Sequence, residues 1–89
     1  MKVLVDTQVW LWAHAEPERL GKKARKLLRG VDNTLVFSAA STWEIAIKFR
    51  LGRLKLKRPP EELVPEFLME RGVVSLAVEH RHALWVATL

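Results

Sequence analysis

KVLVDTQVWLW, residues 2–12, decides how the rest of the chain is read. Residues 2–5 are rich in β-branched side chains, as expected of a short strand buried on both faces. From Thr7 to Ala15 every position except Gln8 and His14 is apolar, and Pro17 closes the segment, so a short helix buried on most sides follows. Asp6 stands at the junction. Aspartate is a poor strand former and is seldom buried. A carboxylate here is either an N-cap, accepting the first N–H groups of the next helix, or a group placed for chemistry. The residues alone leave both readings open.

The alternation of strand and helix continues downstream. Leu20, Ala24, Leu27, Leu28 and Val31 recur at helical spacing, with Lys22, Lys23, Arg25, Lys26 and Arg29 between them, and Asp32-Asn33 supplies the turn. LVF at 35–37 is a second strand. It leads into SAASTWEIAIKFRLG, a helix with Ser38 or Ser41 as its cap and Gly52 at its end. RLKLKRPP at 53–60 is a basic connection with room for a short extended piece, and Pro59 and Pro60 introduce the helix EELVPEFLMERG. Pro65 is expected near that helix's first turn, where a missing N–H matters least. VVSLAV at 73–78 is a third strand and EHRHALWVATL at 79–89 a last helix. The fold class is therefore α/β, with a parallel sheet of about three strands joined by right-handed helical crossovers.

A chain of 89 residues supports one small domain. The last helix reaches Leu89 without Gly, Asn or Pro to stop it, and three strands make a narrow parallel sheet. Residues 1–89 are thus expected to be a single domain that is incomplete at its C-terminal end. With 49% hydrophobic and 28% charged residues the composition is that of a soluble globular protein. No apolar run approaches the roughly 20 residues a bilayer needs. Asp6 and Gln8 interrupt the apolar stretch that a signal peptide requires, so a cytoplasmic location is expected. The absence of cysteine excludes disulfides, thiolate zinc sites and thiol catalysis. A net charge of +5 favours an anionic partner, such as a nucleic acid or an acidic protein.

Ligand sites in open parallel sheets gather at the carboxyl ends of the strands. Asp6 ends the first strand, and Glu44 lies in the first turns of the helix after the second. Two such carboxylates are oxygen donors of the kind Mg²⁺ takes, together with waters and phosphates. Glu44 also has two structural readings: Ser41-Thr42-Trp43-Glu44 fits a capping box, and Glu44 with Lys48 is an i,i+4 ion pair in the favourable order. His80 and His82 are two apart, which does not suit a helical metal pair, and His14 stands alone. Lys22, Lys23, Lys26 and Arg29, with Arg50, Arg53, Lys55, Lys57 and Arg58, form either a phosphate-contacting surface or a solvated face. Trp10, Trp12, Trp43 and Trp85 lie in apolar contexts that favour core packing over base stacking.

LVDTQVWLW, RLGKKARKLL, VFSAASTWEIAIKFRLGRLKL and HALWVATL together resemble the PIN-domain family, and within it the VapC-type toxins of bacterial toxin–antitoxin pairs. The resemblance spans essentially the whole chain. It implies a PIN-like three-layer fold and a ribonuclease using Mg²⁺ or Mn²⁺ held by acidic residues, with Asp6 and Glu44 as catalytic metal ligands and Thr7 as a supporting hydroxyl. Lys22, Lys23, Lys26, Arg29, Lys48 and Arg53 are the expected RNA contacts. An RNA substrate, a cognate antitoxin and a homodimer or other oligomer are the expected partners. Gln8 stands where this subgroup commonly has His. The family's third acidic residue, and a later one, fall beyond Leu89. A rival expectation follows: a remnant without catalysis that still binds antitoxin or nucleic acid.

Overall fold

The computed structural model describes residues 1–81 and Leu84. Strand β1 (Lys2–Leu4) leads through helix α1 (Thr7–Ala15), a 3₁₀ turn at Pro17–Arg19 and helix α2 (Lys22–Arg29) to strand β2 (Thr34–Ser38). Helices α3 (Ala39–Arg50) and α4 (Pro60–Glu70) then lead to strand β3 (Val74–Leu76). All pairings are parallel, in the order β1-β2-β3. The α/β class, the parallel sheet and the helical crossovers are as the sequence predicts.

Register explains where the core lies. Leu4 pairs with Val36 and Val36 with Val74, so these three form a row across one face of the sheet. Val3 pairs with Leu35 on the other face, since successive side chains alternate. That second face is the buried one: Val5, Leu35, Phe37 and Val73 join Trp10 and Leu11 of α1, Ile45 of α3 and Val64 of α4 in a single cluster, with Leu28 of α2 against it. Helices α1 to α4 therefore pack on one side, so of the three layers expected these elements supply the sheet and one helical layer. On the opposite side Leu4, Val74 and Leu76 are exposed, Leu4 to 64%.

Several boundaries depart from the pattern-based expectation. Val5 lies outside β1, although its N–H still donates to the Val36 carbonyl at 2.8 Å. β2 gains Thr34 and Ser38, and β3 keeps only the middle of VVSLAV. Residues 53–59 contain no strand. Gly52 closes α3 as expected, at φ +73°, a conformation open to glycine without strain. Pro65 is a correction: Pro60 is the first helical residue, which makes Pro65 interior. Pro65 and Glu61 are both exposed, so the hydrogen bond lost between them lies on the outer side of the helix, where it costs less than in the core. Of the helix expected at 79–89, His80, Arg81 and Leu84 are helical, while the rest, with His82 and Trp85, lies outside the described residues.

An aromatic knot fixes α1 and α4 to the sheet. His14 stacks on Trp10 at 4.1 Å, and Phe67 meets Phe37 edge-on at 5.4 Å. His14 Nδ1 lies 3.0 Å from the Trp10 carbonyl, which accounts for this histidine as a packing residue. Trp43 is a second correction: it is 71% exposed on α3. An apolar neighbourhood in sequence could not reveal that it shares the side of α3 bearing Ala39, Ala46 and Arg50, along an open groove beside α4.

Arg58 clamps the start of α4, with its guanidinium 2.7 Å from Glu66 and 3.3 Å from Glu62. The hydrogen bond from Arg58, and then its charge, hold the Glu66 carboxyl below its ordinary value. A depressed folded-state pKa stabilises the fold above the unfolded value, and that contribution is lost as pH falls through the folded one. Arg58→Met is expected to raise the Glu66 pKa back towards its ordinary value, a shift that ¹³C-detected carboxyl titration by NMR would read directly. A Glu66 titration unchanged by the substitution would contradict the clamp.

Candidate metal and nucleic-acid site

Asp6 is the N-cap of α1: its Oδ1 accepts the Gln8 backbone N–H at 2.9 Å. The residue is exposed, and the cap engages one carboxylate oxygen. Its second oxygen can accept another partner, so capping and ligation are compatible. The choice posed by the sequence is not exclusive.

Ser38 caps α3, accepting the Ala40 N–H at 3.1 Å. Because β2 runs through Ser38 directly into the helix, Ser41 is already the third helical residue and Glu44 the sixth. The capping box expected from Ser41 to Glu44 is therefore not formed. The ion pair is: Glu44 Oε2 lies 3.2 Å from Lys48 Nζ. Both side chains are substantially exposed, so the pair contributes about 0.3–0.5 kcal/mol to stability.

The two helix starts are tied by a hydroxyl contact, in which Thr7 Oγ1 donates to Ser41 Oγ at 2.6 Å in a part-buried setting. Ser41, Glu44 and Lys48 follow one another at i, i+3 and i+7, hence on one face of α3. That face looks towards α1, since Lys48 lines a groove with Gln8 and Leu11. Asp6 is adjacent in sequence to one end of the hydroxyl contact, and Glu44 is one turn from the other. Carboxylate oxygens at such an edge suit a hard cation that keeps several waters. Among the described residues no group of three or more His, Asp or Glu side chains gathers into a metal-holding cluster.

The basic residues divide into two sets. Lys48 and Arg53, with Lys55, line the groove of about 500 Å³ whose walls include Trp12, Leu54 and Leu56. Lys22, Lys23, Lys26 and Arg29 are exposed on α2 and do not line that groove; Arg29 borders a separate hollow with Arg71. None of those four forms an ion pair with another described residue. The structure therefore brings Lys48 and Arg53 together and leaves the α2 set apart. Ser41 is the residue that sequence reading weighed only as a cap. Its spacing of three from Glu44 was the available signal, but its partner Thr7 lies 34 residues away.

These features, two carboxylates at the carboxyl edge of a parallel sheet with a hydroxyl bond between the helices that carry them, meet a match by family. The PIN domain model matches residues 3–86. The chain belongs to the PIN domain family. This PIN domain is 40% identical over 60 residues to Ribonuclease VapC16 of Mycobacterium tuberculosis (strain ATCC 25618 / H37Rv), an alignment taking in 67% of this chain and 43% of that protein. The chain thus spans less than half the length of this curated relative. No solved structure matches this chain significantly. The resemblance to VapC-type PIN domains, read from the motifs around Asp6 and Glu44, is borne out by both matches.

Proposed function

We propose that this PIN domain is a metal-dependent endoribonuclease of the VapC type, hydrolysing RNA phosphodiester bonds under the control of a cognate antitoxin. The likeness to Ribonuclease VapC16 supports the reaction class. The observation that carries the site is the Thr7–Ser41 bond, with Asp6 beside one hydroxyl and Glu44 a turn from the other. Asp6 and Glu44 would hold Mg²⁺ or Mn²⁺ through oxygens not used by Gln8 and Lys48, and their donor type fits such an ion. When bound, a divalent cation lowers the pKa of water and offsets charge on the phosphoryl oxygens. The Gln8 N–H accounts for one oxygen of Asp6 and Lys48 for one oxygen of Glu44, which leaves each carboxylate an oxygen for the ion. Thr7 supports the site by joining α1 to α3.

Lys48 and Arg53 would hold the RNA backbone in the groove, and Lys22, Lys23, Lys26 and Arg29 would add longer-range attraction from α2. The four α2 cations do not line the groove that holds Lys48 and Arg53, so their proposed part is in the encounter with RNA. An antitoxin, and a homodimer or other oligomer, complete the proposed partners. Among the described residues no helix is long and apolar enough to cross a membrane. The test is direct: purified protein with Mn²⁺ or Mg²⁺ is expected to cut RNA, to stop on addition of EDTA, and to resume when metal is restored. RNA left intact under all metal conditions would refute the activity.

A second reading is a PIN domain that binds antitoxin or nucleic acid without catalysis. It is favoured by the lack of a cluster of three or more metal-holding side chains among the described residues. Co-elution with a small acidic partner, together with absent nuclease activity, would select it.

A further inference from the structure

We propose that Ser41 is a positioning residue: through its contact with Thr7 it sets the separation of Asp6 and Glu44, and with it the affinity of this edge for a divalent cation. The inference rests on the reading of Asp6 and Glu44 as cation ligands. Each carboxylate already has an orienting partner on its own helix, the Gln8 N–H for Asp6 and Lys48 for Glu44. Those partners aim the two groups but say nothing of the distance between them. Among the described residues, the Thr7–Ser41 bond is the one side-chain hydrogen bond joining α1 to α3.

Its length is what gives it leverage. The two hydroxyl oxygens sit 2.6 Å apart, whereas non-bonded apolar atoms settle at about 3.5–4.0 Å. Replacing either hydroxyl by a methyl or a hydrogen therefore lets the helix starts relax by about an ångström, or opens a gap of that size. Mg²⁺ and Mn²⁺ bind oxygen ligands within narrow distance limits, so a shift of that size between two carboxylates is felt at the ion. Partners outside the ligand shell commonly change metal affinity by about 10–100-fold.

The experiment is a Mn²⁺ titration followed by electron paramagnetic resonance, independent of nuclease activity, on the wild type and on Ser41→Ala, Thr7→Val, the double variant and Ser41→Thr. Each single removal is expected to weaken Mn²⁺ binding about tenfold, and the double variant no further, because both break one bond. Ser41→Thr keeps the hydroxyl and is expected to retain affinity. A merely structural role would lower the melting temperature without moving the Mn²⁺ affinity, and that result overturns the proposal, as would additive losses in the double variant. If Ser41→Ala does not melt cooperatively, Thr7→Val, which preserves side-chain shape, carries the same test. Mn²⁺ binding lost in Asp6→Asn but intact in Ser41→Ala and Thr7→Val would overturn the positioning role alone. A wild type that binds no Mn²⁺ would overturn both the ligand reading and the inference built on it.

Discussion

Asp6→Asn is expected to reduce metal-dependent RNA cleavage by more than about a hundredfold, the upper end of what losing even an outer partner of a metal ligand costs, while leaving stability essentially unchanged. Asparagine is as good an N-cap as aspartate, and its side-chain oxygen can still accept the Gln8 N–H. It is also neutral, so it offers a divalent cation a much poorer ligand. The substitution thus removes the proposed chemistry and spares the cap. Asp6→Ala removes both and should in addition destabilise the fold by about 1 kcal/mol. Cleavage of a labelled RNA, beside urea unfolding curves for the three proteins, separates the roles. An Asn variant that cuts at the wild-type rate would show that Asp6 is a cap and no more.

Phe37→Ala is expected to have the largest effect on stability, about 3–5 kcal/mol. Phe37 is 1% exposed, lies in the central strand, and meets Trp10 and Phe67 in the aromatic knot. Domains are stable by only about 5–15 kcal/mol, and a small one belongs near the bottom of that range. The variant should therefore keep only about 0–2 kcal/mol of stability, with up to about half the molecules unfolded at room temperature by circular dichroism. Leu4→Ala, also in a strand but 64% exposed, should cost less than about 0.5 kcal/mol. Equal losses at the two positions would contradict a core confined to the helical side of the sheet.

The elements were legible wherever periodicity carried them. The apolar spacing read from Leu20 to Val31 finds α2 but overruns it at both ends, since Leu20 precedes the helix and Val31 follows it at 95% exposure, whereas the run from Thr7 to Ala15 gives α1 to the residue. The start of α3 was less clear because two serines compete as cap, and only the folded chain, in which the Ser38 hydroxyl accepts the Ala40 N–H, decides between them. Pro65 misled because its cost depends on whether the Glu61 carbonyl faces water, a tertiary matter. Trp43 misled for the same reason: local context makes a side chain apolar but does not say which face of α3 is covered. Asp6 and Glu44 stood out by chemical type at strand ends. Ser41 did not, since a hydroxyl acquires its role from a partner that only folding brings near.

The strand order means that the two carboxylates are carried by neighbouring strands with different surroundings. Glu44 belongs to a helix that grows directly out of β2, the strand paired on both edges and holding Leu35 and Phe37 in the dry interior. Asp6 follows β1, three residues long, with a neighbouring strand among the described residues on one edge and water against Leu4. The hydroxyl bond from Thr7 to Ser41 is then what couples the helix that follows β1 to the helix that grows out of β2, so a substitution at either end is felt at both carboxylates.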